Sequence, residues 1–390
     1  LKNIVIIGSG VGGLTVAQTI RASDSESDIT IVGAEDFYPY NRIKLSKSLE
    51  KDVTEDELLI KPKSWYLENN IMLLKGISMK SISSSEKKVY LSNGKSLKYD
   101  KLVLASGAKS FVPPVEGVDL KGVFSLRTLD DSWAIRDYMV NVQNVLVVGG
   151  GVLGLENAYS LAKQGKKVAV AEMADWLMPK QLDREASEIL ESKLRDAGVE
   201  IMFGASASKL LGGDSVESYE TSDGKQHPAE MVIFSTGIRP NTDIEIDAEL
   251  ETNRGIVVNS KMETSVEDIY AVGDVAEFDG RVYGLWSIST LQAKVAAENI
   301  LGIGSEFKDG SPMMSLNSFG LYLFSVGNIS PENPDYTLTG DGPSYRKVVV
   351  KDSMPVGGII FDDANKAIAL KRMIEKGQAA SREELEAFLK

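Results

Sequence analysis

Two glycine constellations carry the first chemistry in this sequence. Gly8-x-Gly10-x-x-Gly13 and Gly149-x-Gly151-x-x-Gly154 repeat one spacing 141 residues apart. The first glycine of such a set permits a tight turn, and the second lets backbone approach a pyrophosphate. The third lets the following helix pack closely on its strand, with its N-terminus facing the phosphate charge. A carboxylate near the end of the next strand then accepts from an adenosine ribose. For the first set that residue is Glu35, two places beyond the usual position, which Gly33 holds; Asp36 is its rival. For the second it is Glu172, 23 residues after Gly149. A 2′-phosphate would meet the charge of Glu172, and Met173, Ala174 and Asp175 supply no arginine to receive it, so NADH is expected over NADPH.

A third signal is Thr264-x4-Ile269-Tyr270-Ala271-x-Gly273-Asp274. A carboxylate set behind a glycine at a strand end, ahead of a helix, is placed to bind a polyol chain. Gly284-Leu285-Trp286 leads into that helix, whose N-terminus favours negative charge on a reduced flavin, with Trp286 as a candidate neighbour. Ala105-Ser106-Gly107 and Ser235-Thr236-Gly237 end strands in small residues, as close backbone approach to a cofactor requires; Ser106, Gly107 and Gly237 join the candidate set.

Elements to hold these residues are legible around them. Ile4–Ile7 reads as a buried strand, Val11–Arg21 as a helix and Asp28–Val32 as a second strand. Tyr38 to Lys63 reads as irregular, and Lys88–Leu91, Lys98–Tyr99 and Leu102–Ala105 as hairpin strands returning to a sheet. After Pro113-Pro114 the pattern restarts: strand Asn144–Val148, helix Leu155–Gln164, strand Val168–Ala171, helix Asp183–Ala197, then strands at Glu200–Phe203, Ser215–Thr221 and Met231–Ser235. Ile269–Val272 and a helix Thr290–Ile300 return to the first unit. Strands at Leu321–Ser325, Tyr345–Val350 and Gly358–Phe361, then helices Ala364–Glu375 and Ser381–Phe388, make a small third one. The expected fold is α/β: two Rossmann-like dinucleotide-binding domains of three-layer ββα type plus a small α+β C-terminal domain. The expected division is 1–112 with 246–311 for the first dinucleotide, 113–245 for the second, and 312–390 for the small C-terminal unit.

Composition narrows the chemistry further. The 390 residues hold no cysteine, which excludes a disulfide, a thiolate nucleophile and a thiolate-ligated cluster within them. The single histidine, His227, reads as a loop residue with no metal shell around it. A formal charge of −13 argues against nucleic-acid binding. Residues 42–109 are the exception, with 14 basic against 8 acidic side chains, and suit a docking face for an acidic partner. No apolar run approaches a membrane span, and Ile4–Ile7 meets Gly8 too soon for a signal peptide, so a cytoplasmic location without membrane contact is expected. The first strand lies so near residue 1 that little structure is expected ahead of it.

Taken together these motifs resemble the pyridine nucleotide-disulfide reductase superfamily of two-dinucleotide flavoproteins. The resemblance spans essentially the whole chain and is nearest to NADH:rubredoxin oxidoreductases and the flavin module of assimilatory NADH nitrite reductases. Tyr38-Pro39-Tyr40-Asn41-Arg42-Ile43-Lys44-Leu45-Ser46-Lys47, Ser235 to Asn241 and Thr264 to Asp274 carry it beside the two glycine motifs. It implies tightly bound FAD over Gly8, Gly10 and Gly13, with Glu35 on the ribose, Arg42 and Lys47 along the cofactor and Asp274 on the ribityl chain. It implies NADH over Gly149, Gly151 and Gly154, with Glu172 on its ribose and Glu156 near the nicotinamide and flavin edge. Hydride would pass from NADH to flavin with no catalytic acid or base demanded, and electrons would leave to a small acidic carrier such as rubredoxin. An NADH oxidase and a nitrite reductase input module are the alternatives, and a monomer or homodimer is expected. Two departures matter. Ser46-Lys47-Ser48-Leu49 lacks the redox cysteine many relatives carry there, and Ile43-Lys44 replaces the Pro-Pro of mono-oxygenase-type ferredoxin reductases.

Overall fold

A computed structural model describes residues 2–311, 313–340 and 344–390; Pro312, where the third unit was expected to open, lies outside them. Two five-stranded parallel sheets form the frame. The first runs Ile269–Ala271, Lys101–Leu104, Asn3–Ile7, Asp28–Val32, Ile71–Leu74, and the second Val199–Phe203, Lys167–Glu172, Asn144–Val148, Met231–Phe234, Val123–Ser125. Their central strands are apolar on both faces because both faces are covered, as parallel sheets require. The strand Asn144–Val148 shows this at period two. Val145 and Val147 face Leu155, Ala158 and Leu161 on the helix side, while Leu146 and Val148 face Leu210 and Tyr219 on the other. In the first sheet the covering layers are the helices Val11–Ser23 and Trp286–Ile300 on one side and a mixed sheet containing the antiparallel pair Met79–Ser83 and Lys88–Leu91 on the other.

The chain crosses between the two frames twice. The crossing segments Ala108–Ser110 and Ile238–Pro240 pair as antiparallel strands, and Asn241 Nδ2 donates to the Ser106 carbonyl at 2.8 Å. The C-terminal part is a five-stranded antiparallel sheet. One face, with Leu316, Leu323 and Phe361, joins the core of the second frame; the other, with Phe324, Val348 and Ile360, is covered by helices Ala364–Lys376 and Arg382–Leu389.

Several expectations need adjustment. The stretch from Tyr38 to Lys63 is not irregular throughout: it holds 3-10 turns at Arg42–Lys44 and Lys47–Leu49 and a short helix Glu55–Leu58 with a Thr54/Glu57 capping box. Glu172 is the last residue of its strand rather than the first beyond it. His227 is no loop residue: it sits on the short strand Gln226–Pro228, its ring stacked on Tyr219 at 5.2 Å. The closing helix begins at Trp286, four residues ahead of Thr290.

Candidate functional site

The two glycine turns are built alike. Gly8 has φ +117° and Gly149 +110°, in the region that favours glycine. A side chain on Gly8 would overlap the Ala105 carbonyl, and one on Gly149 would stand 2.5 Å from the Ser235 carbonyl oxygen. Side chains on Gly13 and Gly154 would overlap the carbonyl oxygens of Gly8 and Gly149. At Gly10 and Gly151, by contrast, nothing lies within 4 Å of a Cβ position. Each of these is the N-cap of its helix, and no side chain caps the helix there. Each turn therefore leaves an open cradle of free N–H groups at the positive end of a helix, which is what a pyrophosphate needs. The residues fit the two dinucleotides that the motifs imply.

Around the first cradle, side chains from distant segments interlock. Glu35 accepts from the Tyr40 hydroxyl at 2.6 Å and pairs with Arg42. Arg42 Nη1 also donates to Tyr40 Oη at 3.0 Å and to the Arg127 carbonyl at 2.7 Å. Burial, reinforced by the neighbouring carboxylate of Glu35, pushes the Tyr40 phenol well above its ordinary range, so it stays a donor. Asp274 accepts from Arg127 Nη2 at 2.6 Å, and Arg127 Nε donates to the Ala108 carbonyl at 3.1 Å. The Gly273 N–H, at φ +77°, donates to Gln292 Oε1 at 2.9 Å. Trp286 is the first residue of the helix that carries Gln292. Ser106 and Gly107 sit where the first sheet hands over to the crossing segment, and Gly237, at φ +99°, stands at the return.

The second cradle is tied by backbone. Glu172 Oε2 accepts the Gly150 N–H at 2.6 Å and Oε1 accepts the Ala174 N–H at 2.8 Å. Glu156, on the helix that follows, accepts from Ser46 Oγ at 2.7 Å, so the two frames touch at this pair. Burial raises the Glu156 carboxyl above the ordinary range, against the opposing influence of Ser46 and Lys47. Lys47 Nζ donates to the Asn317 carbonyl at 3.3 Å, and Phe319 meets Tyr159 edge-on at 4.9 Å, so the C-terminal sheet closes over this junction.

Sequence reasoning missed Arg127, Gln292 and Gly150. Arg127 had a usable signal beside it: Thr128 and Asp131 form a capping box that opens the helix Leu129–Met139. For Gln292 and Gly150 the roles arise only from contacts between segments distant in the chain, and no local pattern announces them.

Two dinucleotide frames joined by paired crossings define the class: a two-site nucleotide-binding oxidoreductase fold. The model of the pyridine nucleotide-disulphide oxidoreductase family matches residues 2–293, and the chain belongs to that family. Residues 312–378 match the rubredoxin NAD+ reductase C-terminal domain. The chain is 34% identical over 381 residues to a nitrite reductase [NAD(P)H] of Bacillus subtilis, covering 96% of this chain but 47% of that protein. It is 31% identical over 377 residues to an NADH-rubredoxin oxidoreductase of Clostridium acetobutylicum, covering 96% and 95%. The chain thus spans about half the length of the first of these relatives and nearly all of the second. Among solved structures, the covalent putidaredoxin reductase–putidaredoxin complex superposes with a TM-score of 0.89 at 27% identity, covering 99% of this chain and 95% of the other. Family membership implies a flavoprotein that uses a nicotinamide nucleotide. Among the described residues no helix is long and apolar enough to cross a membrane.

Proposed function

We propose that the protein oxidises NADH and passes the electrons through FAD to a small acidic carrier protein in the cytoplasm, rubredoxin being the first candidate. The carrying observation is the pair of open cradles in one chain, joined by short paired crossings that fix their spacing. In this reading FAD lies over Gly8, Gly10 and Gly13, in a domain of residues 1–112 and 246–311. Glu35, Arg42, Lys47, Ser106, Gly107, Gly273, Asp274 and Trp286 border it. NADH lies over Gly149, Gly151, Gly154 and Gly237 in residues 113–245, with Glu172 on its ribose and Glu156 near the meeting point. Bound flavin accepts two electrons as a hydride and can release them singly. The chain's own part is to hold both nucleotides in register and keep water from the junction that Ser46, Glu156 and the C-terminal sheet close. With no cysteine among the 390 residues, no thiol relay lies on the exit path.

A second reading has its own support, since the Bacillus subtilis nitrite reductase is about twice as long: the chain would then serve as the NADH-oxidising module of a nitrite reductase-like system. The test is anaerobic addition of NADH to the FAD-loaded protein, followed by rubredoxin, ferredoxin, oxygen or nitrite as acceptor. Bleaching of the flavin followed by rapid rubredoxin reduction, slowing as ionic strength rises, is expected. A flavin that stays oxidised under NADH would end the electron-transfer reading.

A further inference from the structure

One pair of positions sets the second cradle apart from the first. Ile7 pairs with Val32 and Val148 with Ala171, so Gly33 and Glu172 are equivalent, each being the residue after the last one paired with the central strand. Ser9 and Gly150, one residue into each turn, are likewise equivalent. At the first turn the side chain is on the turn: a Cβ on Gly33 would run into the Ser9 side chain. At the second it is on the strand: a Cβ on Gly150 would stand 2.8 Å from Glu172 Oε2 and 3.1 Å from Leu177. Each pair has room for one side chain. Where that side chain is Glu172, the bare turn brings its N–H onto the carboxylate at 2.6 Å, and Ala174 holds the other oxygen at 2.8 Å.

We propose that Gly150 is a specificity-determining residue of the second site, because its bare Cα lets the turn fix the Glu172 carboxylate where it receives a ribose diol and repels a 2′-phosphate. This rests on the NADH reading above. Each carboxylate oxygen keeps a lone pair after its backbone bond, so a fixed Glu172 can still accept from a hydroxyl. Gly150 lies outside the left-handed backbone region, so an alanine fits its dihedrals. Its methyl would meet Glu172 Oε2 most closely, with Leu177 at 3.1 Å and Glu172 Cβ at 3.2 Å and no backbone atom among the three, so the carboxylate gives way, Leu177 shifts by a few tenths of an ångström and the fold stays.

The experiment compares ADP-ribose with its 2′-phosphate by titration calorimetry on FAD-loaded protein, which reads binding without turnover. The wild type binds ADP-ribose more tightly. Gly150→Ala weakens ADP-ribose about tenfold, as loss of a charge-assisted bond predicts, and changes the 2′-phosphate much less, so the preference narrows. Glu172→Gln narrows it in the same direction, and Gly150→Ala with Glu172→Gln is no weaker for ADP-ribose than the more affected single variant, since both remove one interaction. The FAD-to-protein ratio stays at the wild-type value in all three. A Gly150→Ala protein that binds both ligands as the wild type does, or weakens both equally, overturns the proposal alone. A wild type without preference overturns the NADH reading and this proposal with it.

Discussion

Asp183 holds the C-terminal sheet to the second frame, and its removal has a size that can be worked out. Oδ1 accepts the Ala186 N–H at 3.0 Å as a helix cap, while Oδ2 accepts from Tyr345 Oη at 2.6 Å and Lys347 Nζ at 2.7 Å. Asp183→Ala loses the cap, about 1 kcal/mol. It also strands the Lys347 ammonium, and breaking a fully buried pair costs about 3–5 kcal/mol. With side-chain exposures of 14% for Lys347 and 21% for Asp183, solvent screening reduces that to about 2 kcal/mol. Loss of the tyrosine bond adds about 1 kcal/mol. The total is about 4 kcal/mol, and Asp183→Ser, which keeps a cap, should lose about 3. An unfolding entropy of about 2.1 cal/mol/K per residue gives about 0.8 kcal/mol/K for this chain, so the alanine variant should melt about 5 °C lower if the chain unfolds as one unit. Thermal melts followed by circular dichroism provide the assay, with limited proteolysis to report separate release of the C-terminal part. The pH dependence supplies a second check. Burial raises the Asp183 carboxyl, but Lys347, Tyr345 and the cap outweigh it and hold it below its ordinary value. A depressed folded pKa stabilises above the unfolded value, near 4, and that stability is lost as pH falls through the folded one. The gap between wild type and Asp183→Ser should therefore be full at pH 7 and shrink below about pH 4. Serine and alanine variants melting within about 1 °C of the wild type at pH 7 would refute the latch.

Glu156 should show the opposite sign. Its carboxyl is raised by burial, so the folded state loses stability as pH climbs from the ordinary carboxylate range through the raised folded value. Glu156→Gln should match the wild type near pH 4 and melt higher at pH 8; equal melting at both pH values would remove the burial argument. The first glycine turn separates fold from binding. Gly8→Ala drives a methyl into the Ala105 carbonyl at a left-handed φ and should yield little folded protein, whereas Gly10→Ala meets open space and should fold with a wild-type far-ultraviolet spectrum yet retain little FAD. Full FAD retention by Gly10→Ala would show that the cradle is not where the diphosphate lies.

Much of the frame was legible because parallel strands buried on both faces write themselves as apolar runs. Asp28–Val32 and Asn144–Val148 were placed to the residue. The strands that escaped notice are of other kinds. Ile71–Leu74 is an edge strand preceded by Asn69 and Asn70, and Ala207–Gly212 belongs to a meander with register shifts. Met313–Ser318 and Tyr336–Thr339 are the polar-flanked edges of the C-terminal sheet. The polar edge strands carry no apolar run to find, and the four apolar residues of Ile71–Leu74 are too short a run to tell a strand from a piece of helix. In the site, glycines were legible because a missing side chain is a local requirement, while Arg127 and Gln292 act across 147 and 19 positions of sequence.

The two cradles share a backbone and differ in what surrounds it, and that difference bears on their use. Around the first, Glu35, Tyr40 and Arg42 lock to one another and to the Arg127 carbonyl, and Arg127 locks to Asp274. Three segments far apart in sequence would have to part before a ligand held among them could leave. Around the second, Glu172 is fixed by two N–H groups of residues beside it, Gly150 and Ala174. The proposed roles, FAD resident at the first turn and NADH exchanging at the second, agree with where each carboxylate finds its donors. The glycine spacing alone would leave the two turns interchangeable; Ser9 with Gly33, against Gly150 with Glu172, is what makes them distinct.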